Sequence, residues 1–255
     1  MRQLLVVNPN TSAHVTALLQ QHVQREAGPG VQVRSSTARL GAPYIACEAS
    51  YAVAAHAALD AWAAALAEPG RSAPDAVLIG CFGDPGLFAL REASPVPVTG
   101  LAEAAFAEAA QHGRVAIVTG GARWVPMLER LALALGHQAL VGIHTVAPTG
   151  AQLMADPEGA RAMLGRACQE AAERWDAQAV IVGGAGLAGV AAALQPQVGV
   201  PLVDSVGAGT RMALRLPPSA DARPQPGFDV AWQHVAAELR ALGQTERERE
   251  HAEHH

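Results

Sequence analysis

The sequence predicts an α/β fold made of two pseudo-symmetric lobes, each a parallel-sheet α/β sandwich. Short apolar runs alternate along the chain with longer Ala- and Leu-rich segments of helical period. The runs "AVLIG", "VAIVT" and "AVIVG" are continuously apolar, which is typical of parallel strands covered by helices on both faces. Finally, two blocks of sequence recur in the same order, which indicates a duplicated unit.

The individual elements follow from these patterns. Strands are expected where β-branched and other apolar residues cluster between Gly, Pro and Asn turns; these are residues 3–8, 31–36, 76–81, 96–98, 114–119, 139–145, 178–183 and 200–203. Helices are expected where Ala and Leu recur at helical spacing after a polar or Gly-rich turn; these lie near 11–26, 48–68, 85–93, 101–112, 122–136, 150–174, 186–195, 204–214 and 228–242.

The internal repeat predicts the lobes. The stretch "LLVVNPNTSAHVTALLQQ" matches "VAIVTGGARWVPMLERLA", and "DAVLIGCFGDPGL" matches "QAVIVGGAGLAGV" about 103 positions later. Any two strand–helix units of parallel sheets look alike, but here the glycines and the following Val-Pro strand match as well. The first lobe is expected to comprise residues 1–98 and 206–242, and the second residues 99–205. Residues 243–255 read as a frayed charged and His-rich tail.

Four loops are expected to face one cleft between the lobes. Ligands of open parallel sheets bind beyond the carboxyl ends of the strands. The loops at 8–12, 80–87, 119–123 and 183–189 all follow such ends. The cleft between the lobes is therefore the predicted active site.

Cys81 is the side chain in these loops with the most reactive chemistry. It ends an apolar strand and begins a Gly-rich turn into a helix, where N–H groups are expected to lower the pKa of the thiol. On that basis it should react with iodoacetamide faster than Cys168, which falls in the middle of a helix. The alternative is that Cys81 is a small core residue.

The other loops offer polar groups for a ligand. "NPNTS" places Asn10, Thr11 and Ser12 at a helix N-terminus, which favours an anion but is equally typical of a plain N-cap. "TGG" at 119–121 holds the equivalent place in the second lobe. Asp84 either orients a water or caps the following helix, and capping is the better interpretation.

Composition excludes several classes of protein. Half of the 255 residues are apolar, the net charge is −5, and no basic stripe with interleaved aromatic residues occurs, so nucleic acid is not an expected partner. No apolar run reaches membrane-spanning length, and the N-terminus lacks the pattern of a signal peptide. Three widely spaced cysteines predict a cytoplasmic protein with reduced thiols. The scattered histidines do not support a metal site.

Taken together, these motifs resemble a known family. "NPNTS", "GCFGDPGL", "VTGGARWVPMLERL" and the "GGAG" turn look like the aspartate/glutamate/hydantoin racemase superfamily, and most like its hydantoin racemase branch, over nearly the whole chain to about residue 240. The resemblance implies a cofactor-independent isomerase that commonly forms homo-oligomers. It also implies two cysteines, one in each lobe, that exchange a proton with opposite faces of a carbon acid.

Carried over by position, the resemblance makes Cys81 the catalytic cysteine of the first lobe. The second cysteine is expected in the later turn, where this chain has Gly184 instead. The substrate is expected to be a small molecule with a carboxylate or an imide or hydantoin ring. The predicted substrate-binding positions are Asn10, Thr11, Tyr44, Phe82, Gly83, Thr119, Gly120, Gly121, Ala185 and Gly186.

The missing thiol leaves three interpretations open. The chain is a racemase-type enzyme for a hydantoin or amino-acid derivative, with little or no two-base racemisation. In the second interpretation, the chain is a one-thiol decarboxylase or isomerase of the same superfamily, for which a single protonation suffices. Or it binds a small molecule without turning it over. Racemisation needs an acid and a base on opposite faces of the carbon, so Gly184 is the position on which these interpretations differ.

Overall fold

Two four-stranded parallel sheets form the frame of the protein, whose computed structural model describes residues 1–147, 157–217 and 232–242. The first sheet has the order β2-β1-β3-β4, and the second repeats it as β6-β5-β7-β8. The strands are β1 Arg2–Asn8, β2 Val31–Thr37, β3 Ala76–Ile79, β4 Val98–Gly100, β5 Val115–Gly120, β6 Leu140–Val146, β7 Ala179–Gly183 and β8 Leu202–Asp204. The α/β class and the paired parallel sheets predicted from the sequence are confirmed.

Helices connect the strands and cover both sheets. They are α1 Ala13–Ala27, α2 Glu48–Leu66, α3 Leu87–Ala93, α4 Leu101–Ala109, α5 Trp124–Ala134, α6 Pro157–Trp175, α7 Val190–Leu194, α8 Ser205–Arg215 and α9 Ala237–Leu242. In α1 and α8 the residue that directly precedes the helix caps it with its own side chain. Ser12 accepts a hydrogen bond from the N–H of Val15, and Asp204 accepts from the N–H groups of Val206 and Gly207.

Alternate residues of the central strands enter different cores, which explains their continuous apolarity. Leu78 and Ile181 point into a central core that both sheets share, whereas Ile79 and Val182 point into separate outer cores. All four residues are fully buried. Because the central core joins both sheets, the expected division at residue 98 is not marked by separate cores and stays a prediction.

Two predicted helices differ from the structure. The helix expected at 186–195 is divided, because Gly189 has a φ of +79° and separates a 3₁₀ turn at Ala185–Leu187 from α7. Of the helix expected at 228–242, the described part is helical only over Ala237–Leu242, and His234 has a φ of +56° that a helix cannot include. Residues 150–156, 228–231 and the predicted tail at 243–255 lie outside the described residues.

Candidate active site

Two matched turns follow the central strands β3 and β7. The N–H of Asp84 donates to the carbonyl of Cys81 (3.1 Å), and the N–H of Leu187 donates to the carbonyl of Gly184 (2.9 Å). Each turn then reaches a glycine in the left-handed region, Gly86 in the first and Gly189 in the second, where the next helix begins. Gly184 therefore occupies in the second lobe the place that Cys81 occupies in the first.

The two turns line one cavity between the sheets. Its volume is about 120 Å³, well above the roughly 10–15 Å³ that a single water needs, so the cavity has room for a small organic ligand. The sequence-predicted residues that line it are Asn10, Tyr44, Cys81, Phe82, Thr119, Gly120, Gly184, Ala185 and Gly186.

Three predicted binding residues are not among the residues that line the cavity. The N–H of Thr11 donates to the carbonyl of Ala42, and the N–H of Gly121 donates to that of Val146, so both help to hold loops in place. Gly83 lies beneath Trp124, because a Cβ built on Gly83 would be 2.5 Å from the ring atom Cζ3 of Trp124.

Sequence reasoning missed part of the lining. Four further lining residues, Ser12, Gly80, Gly183 and Leu187, lie in loops that were predicted to face the cleft, whereas the lining residues that were missed are Val15, Pro43, Ile45 and Trp124. Trp124 is the largest of them and begins α5 directly after the "TGG" loop. In the internal repeat, the start of this helix is equivalent to the helix start after "NPNTS". That correspondence is the signal by which Trp124 could have been found.

Two aromatic side chains extend from one lobe to the other, and each packs on a glycine of the opposite lobe. Phe82 from the first turn lies on Gly183, where a Cβ would be 2.3 Å from its Cε1. Trp124 from the second lobe lies on Gly83 and makes an edge-to-face contact with Tyr51 on α2 (6.3 Å between centroids). The Tyr51 hydroxyl donates to the carbonyl of Gly83 (2.7 Å). The turn that carries Cys81 is thus held from both sides.

None of the described residues that line the cavity has a charged side chain. Its polar groups are hydroxyls, an amide, a thiol and the backbone. In the Gly184 turn the first i→i+3 hydrogen bond belongs to Leu187, so the N–H groups of Ala185 and Gly186 remain available to a ligand. The N–H of Gly184 itself donates to Ser205 Oγ (3.2 Å). The site offers donors without offering a formal charge.

The Cys81 thiol is not activated in the way the sequence predicted. The side chain is only 8% exposed, and burial, together with the nearby Asp84 carboxylate, raises the pKa of the thiol. Helix α3 does not begin until Leu87, so its N–H groups are not beside the sulfur. The expected lowering of the thiol pKa is therefore wrong, and Cys81 is protonated at neutral pH.

Asp84 is a helix cap, but for a more distant helix than expected. Its buried carboxylate accepts hydrogen bonds from the N–H groups of Ala102 (2.9 Å) and Glu103 (2.7 Å), at the start of α4 rather than α3. Burial raises the pKa of Asp84 to about 7, and the helix N–H groups oppose that rise. The Asp84 backbone has a φ of +52°, which bends the turn toward α4.

Cys47 is expected to be the fastest-reacting of the described thiols. It lies half-buried at the start of α2, and hydrogen bonding with Ser50, whose Oγ lies 3.4 Å from its sulfur, lowers the pKa of the thiol. Burial raises the pKa of Cys81 and Cys168. Iodoacetamide at pH 7.5 should label Cys47 at least about tenfold faster than either, because the thiolate is the reactive form. Mass spectrometry of tryptic peptides measures the three rates. A fast phase that survives in a Cys47→Ser variant would contradict this assignment.

The position of Gly184 has room for a side chain but a backbone that resists one. The three atoms nearest to a Cβ built there all belong to Leu187, and the closest, Cγ at 3.4 Å, makes an ordinary contact. The φ of +148° is one that side chains other than hydrogen rarely adopt. The cavity therefore has space for a side chain at position 184, and the energetic cost of adding one comes from the backbone conformation.

The described residues lack two other features. They contain no cluster of three His, Cys, Asp or Glu side chains arranged to hold a metal ion. Among the same residues, no helix combines the length and apolarity needed to cross a bilayer.

Comparisons with known proteins agree on one family. A family model described as Asp/Glu/Hydantoin racemase matches residues 4–213. Hydantoin racemase from Pseudomonas sp. (strain NS671) is 31% identical over 213 residues, which are 83% of this chain and 84% of that protein. The structure of allantoin racemase from Klebsiella pneumoniae has a TM-score of 0.82 and 28% identity, covering 96% of this chain and all of that one. A double mutant of arylmalonate decarboxylase in liganded form shares the fold, with a TM-score of 0.63 and 22% identity over 89% of this chain and 97% of that one.

Proposed function

Because the chain belongs to the Asp/Glu/hydantoin racemase family, we propose that it is a racemase-type enzyme that exchanges a proton on one face of a hydantoin-type carbon acid. Cys81 is the acid and base of this reaction. The observation that supports the proposal most strongly is the pair of matched turns, in which one carries a thiol and the other carries Gly184 at the same place.

The lining of the cavity favours a neutral ring as substrate. Burying an unpaired charge is costly, and none of the described lining residues offers a counter-charge to an ammonium or a second carboxylate. A free amino acid carries both charges, and a malonate carries two carboxylates. A hydantoin instead presents carbonyl oxygens and ring N–H groups, which suit the amide, hydroxyl and backbone groups present. Relatives described as hydantoin racemase and allantoin racemase act on rings of this kind.

The backbone donors of the turns suit the charge that develops during the reaction. Removing the ring C–H proton moves an electron pair onto a carbonyl oxygen, and fixed N–H donors stabilise such an oxyanion without reorganising. The N–H groups of Ala185 and Gly186 lie at the cavity and precede the first hydrogen bond of their turn. We assign them this role. Phe82, Leu187 and Val15 form the apolar part of the lining and suit an apolar ring substituent.

With a single thiol the reaction returns the enantiomer it starts from. The Cys81 thiolate takes the C–H proton, so an S–H bond forms while the C–H bond breaks into an enolate. The thiol exchanges its hydrogen with solvent and then protonates the same face. Two nearby hydroxyls do not replace the missing acid. Thr119 Oγ1 already donates its proton to the carbonyl of Gly183 (2.8 Å), and Ser205, whose Oγ accepts from the N–H of Gly184, does not line the cavity.

Deuterium exchange with retention of configuration tests this proposal. One enantiomer of 5-benzylhydantoin in D₂O should lose its C5–H signal in the presence of the protein, while chiral chromatography shows racemisation at least about a hundredfold slower, the usual cost of a missing acid or base. The rate without protein is subtracted. Since the pKa of Cys81 is raised, the thiolate fraction and the rate should climb about tenfold per pH unit between pH 7 and 8.

The other outcomes of this experiment distinguish the remaining interpretations. Equal rates of exchange and racemisation would mean that a second acid acts and would refute the one-face mechanism. Thermal stabilisation by the hydantoin without any exchange would make the protein a binder. Release of CO₂ from a phenylmalonate, without hydantoin exchange, would make it a decarboxylase. A cytoplasmic location and a homo-oligomeric state remain predictions from the sequence and the family resemblance.

A further inference from the structure

Asn8, at the end of β1, has a hydrogen-bonded side chain that is completely buried. Its Nδ2 contacts three acceptors, namely Asn10 Oδ1 (3.0 Å), the carbonyl of Ser12 (3.2 Å) and Thr16 Oγ1 (2.9 Å). Its Oδ1 accepts from the N–H of Asn10 (3.2 Å). Asn8 does not line the cavity, and the proposed mechanism gives it no task.

Two donors, Asn8 Nδ2 and the N–H of Ser12, together determine which end of the Asn10 amide faces the cavity. Asn10 is 7% exposed and lines the cavity. Its Oδ1 accepts from Asn8 Nδ2 and from the N–H of Ser12 (2.9 Å). A backbone N–H can only donate, so the atom facing Ser12 must be the oxygen. The Nδ2 of Asn10 is the end left over, and it has no hydrogen-bond partner within the described chain.

We propose that Asn8 is a positioning residue, which holds the Asn10 amide so that its nitrogen, rather than its oxygen, meets the ligand. This inference rests on the proposed function, because the partner of that nitrogen is a ring carbonyl of the hydantoin. Turning the amide over would place its N–H groups against two other donors, Asn8 Nδ2 and the N–H of Ser12. The cavity therefore presents a donor at this point, and Asn8 fixes that polarity.

The variant Asn8→Asp tests the proposal by changing one atom. It places a carboxylate oxygen where Nδ2 now faces Asn10 Oδ1, while the N–H of Ser12 stays a donor. Because a hydrogen bond to a carboxylate is stronger than one between neutral groups, Asn10 should turn its nitrogen toward Asp, against the single donor left at Ser12, and its oxygen toward the cavity. The Kd for hydantoin, measured by the change in tryptophan fluorescence (Trp124 lines the cavity), should rise about 10- to 100-fold, as expected when a donor is replaced by an opposing acceptor.

Thr16→Val is the matched control. It removes one hydrogen-bond partner of Asn8 and keeps the contact between Asn8 and Asn10. It is expected to lower stability while leaving the Kd for hydantoin within about twofold, since no group facing the ligand changes. A loss of binding in Thr16→Val equal to that in Asn8→Asp would show that Asn8 acts only through stability and would overturn the proposal.

A spectroscopic readout separates orientation from stability. The side-chain NH₂ signal of Asn10, identified by its loss in Asn10→Asp, should exchange rapidly with water in the wild type and in Thr16→Val. In Asn8→Asp it should be protected, because the nitrogen is then bonded internally. Rapid exchange in folded Asn8→Asp would overturn the proposal. If Asn8→Asp does not fold, Asn8→Ala removes the same contact, and its Kd should rise about three- to tenfold; an unchanged Kd would overturn the proposal as well.

Failure of the proposed function would look different. A wild-type protein that does not bind hydantoin would refute the proposed substrate, while the exchange of the Asn10 amide would still decide the role of Asn8.

Discussion

Serine in place of Cys81 should abolish deuterium exchange into 5-benzylhydantoin. Loss of a positioned acid or base costs about a hundred- to ten-thousand-fold, and a serine hydroxyl at this buried place ionises far less readily than the thiol. The measurement is the loss of the C5–H signal in D₂O at pH 8 for wild type and Cys81→Ser. Binding of hydantoin should persist, because the donors from Asn10 and the Gly184 turn are untouched.

Cys168→Ser is the control for this substitution. Cys168 is fully buried in α6, within the outer core of the second lobe, and does not line the cavity. Replacing it removes a thiol and disturbs packing without changing the site, so exchange should continue at the wild-type rate in whatever fraction is folded. Exchange at the wild-type rate in Cys81→Ser would mean that another group is the base and would refute the proposed mechanism.

Cysteine in place of Gly184 should produce racemisation where the parent shows only exchange with retention. The new sulfur would stand in the second turn at the place that Cys81 holds in the first, so both faces of the ring carbon gain an acid and a base. The gain in racemisation rate should reach about a hundred- to ten-thousand-fold. The backbone opposes it, since a φ of +148° costs a side-chain residue about 1–3 kcal/mol, and we expect a lower midpoint of thermal unfolding.

Gly184→Ala carries the same backbone cost without the thiol and is the matched control. Chiral chromatography of 5-benzylhydantoin should show fast racemisation by Gly184→Cys and none above the parent rate by Gly184→Ala. If the two variants racemise equally, the second face is not limited by the missing thiol. In that case the assignment of the two turns to opposite faces is wrong.

Much of the fold was predictable because it depends on local pattern. Continuous apolar runs identified β3 and β7, and the stepwise match of glycines identified the paired turns that carry Cys81 and Gly184. Both patterns involve residues that are close together in the sequence. The break at Gly189 in the helix predicted at 186–195 was not predicted, since a single glycine is compatible with a helix and only the surrounding packing selects its positive φ.

The environment of the site residues was less predictable because it depends on distant segments. Asp84 caps α4, which begins 17 positions later at Leu101 and is separated from Asp84 by strand β4. The sequence of the turn around Asp84 does not show that α4 returns to it. The pKa of Cys81 depends on burial among residues from both lobes, so a turn motif alone predicted its direction wrongly. Trp124 enters the cavity from a helix whose sequence reads as an ordinary amphipathic segment.

The exchange of aromatic rings between the lobes also restricts how such proteins can diverge. Phe82 lies where any side chain at position 183 would have to be, and Trp124 does the same at position 83. Each of these glycines can therefore gain a side chain only if its facing ring is lost, whatever happens at the reacting carbon. Among descendants of this chain, a side chain should appear at position 183 only where position 82 has lost its ring, and at position 83 only where position 124 has. Position 184, where a Cβ makes only ordinary contacts with Leu187, can gain a thiol without such a partner change, at the cost of its backbone conformation.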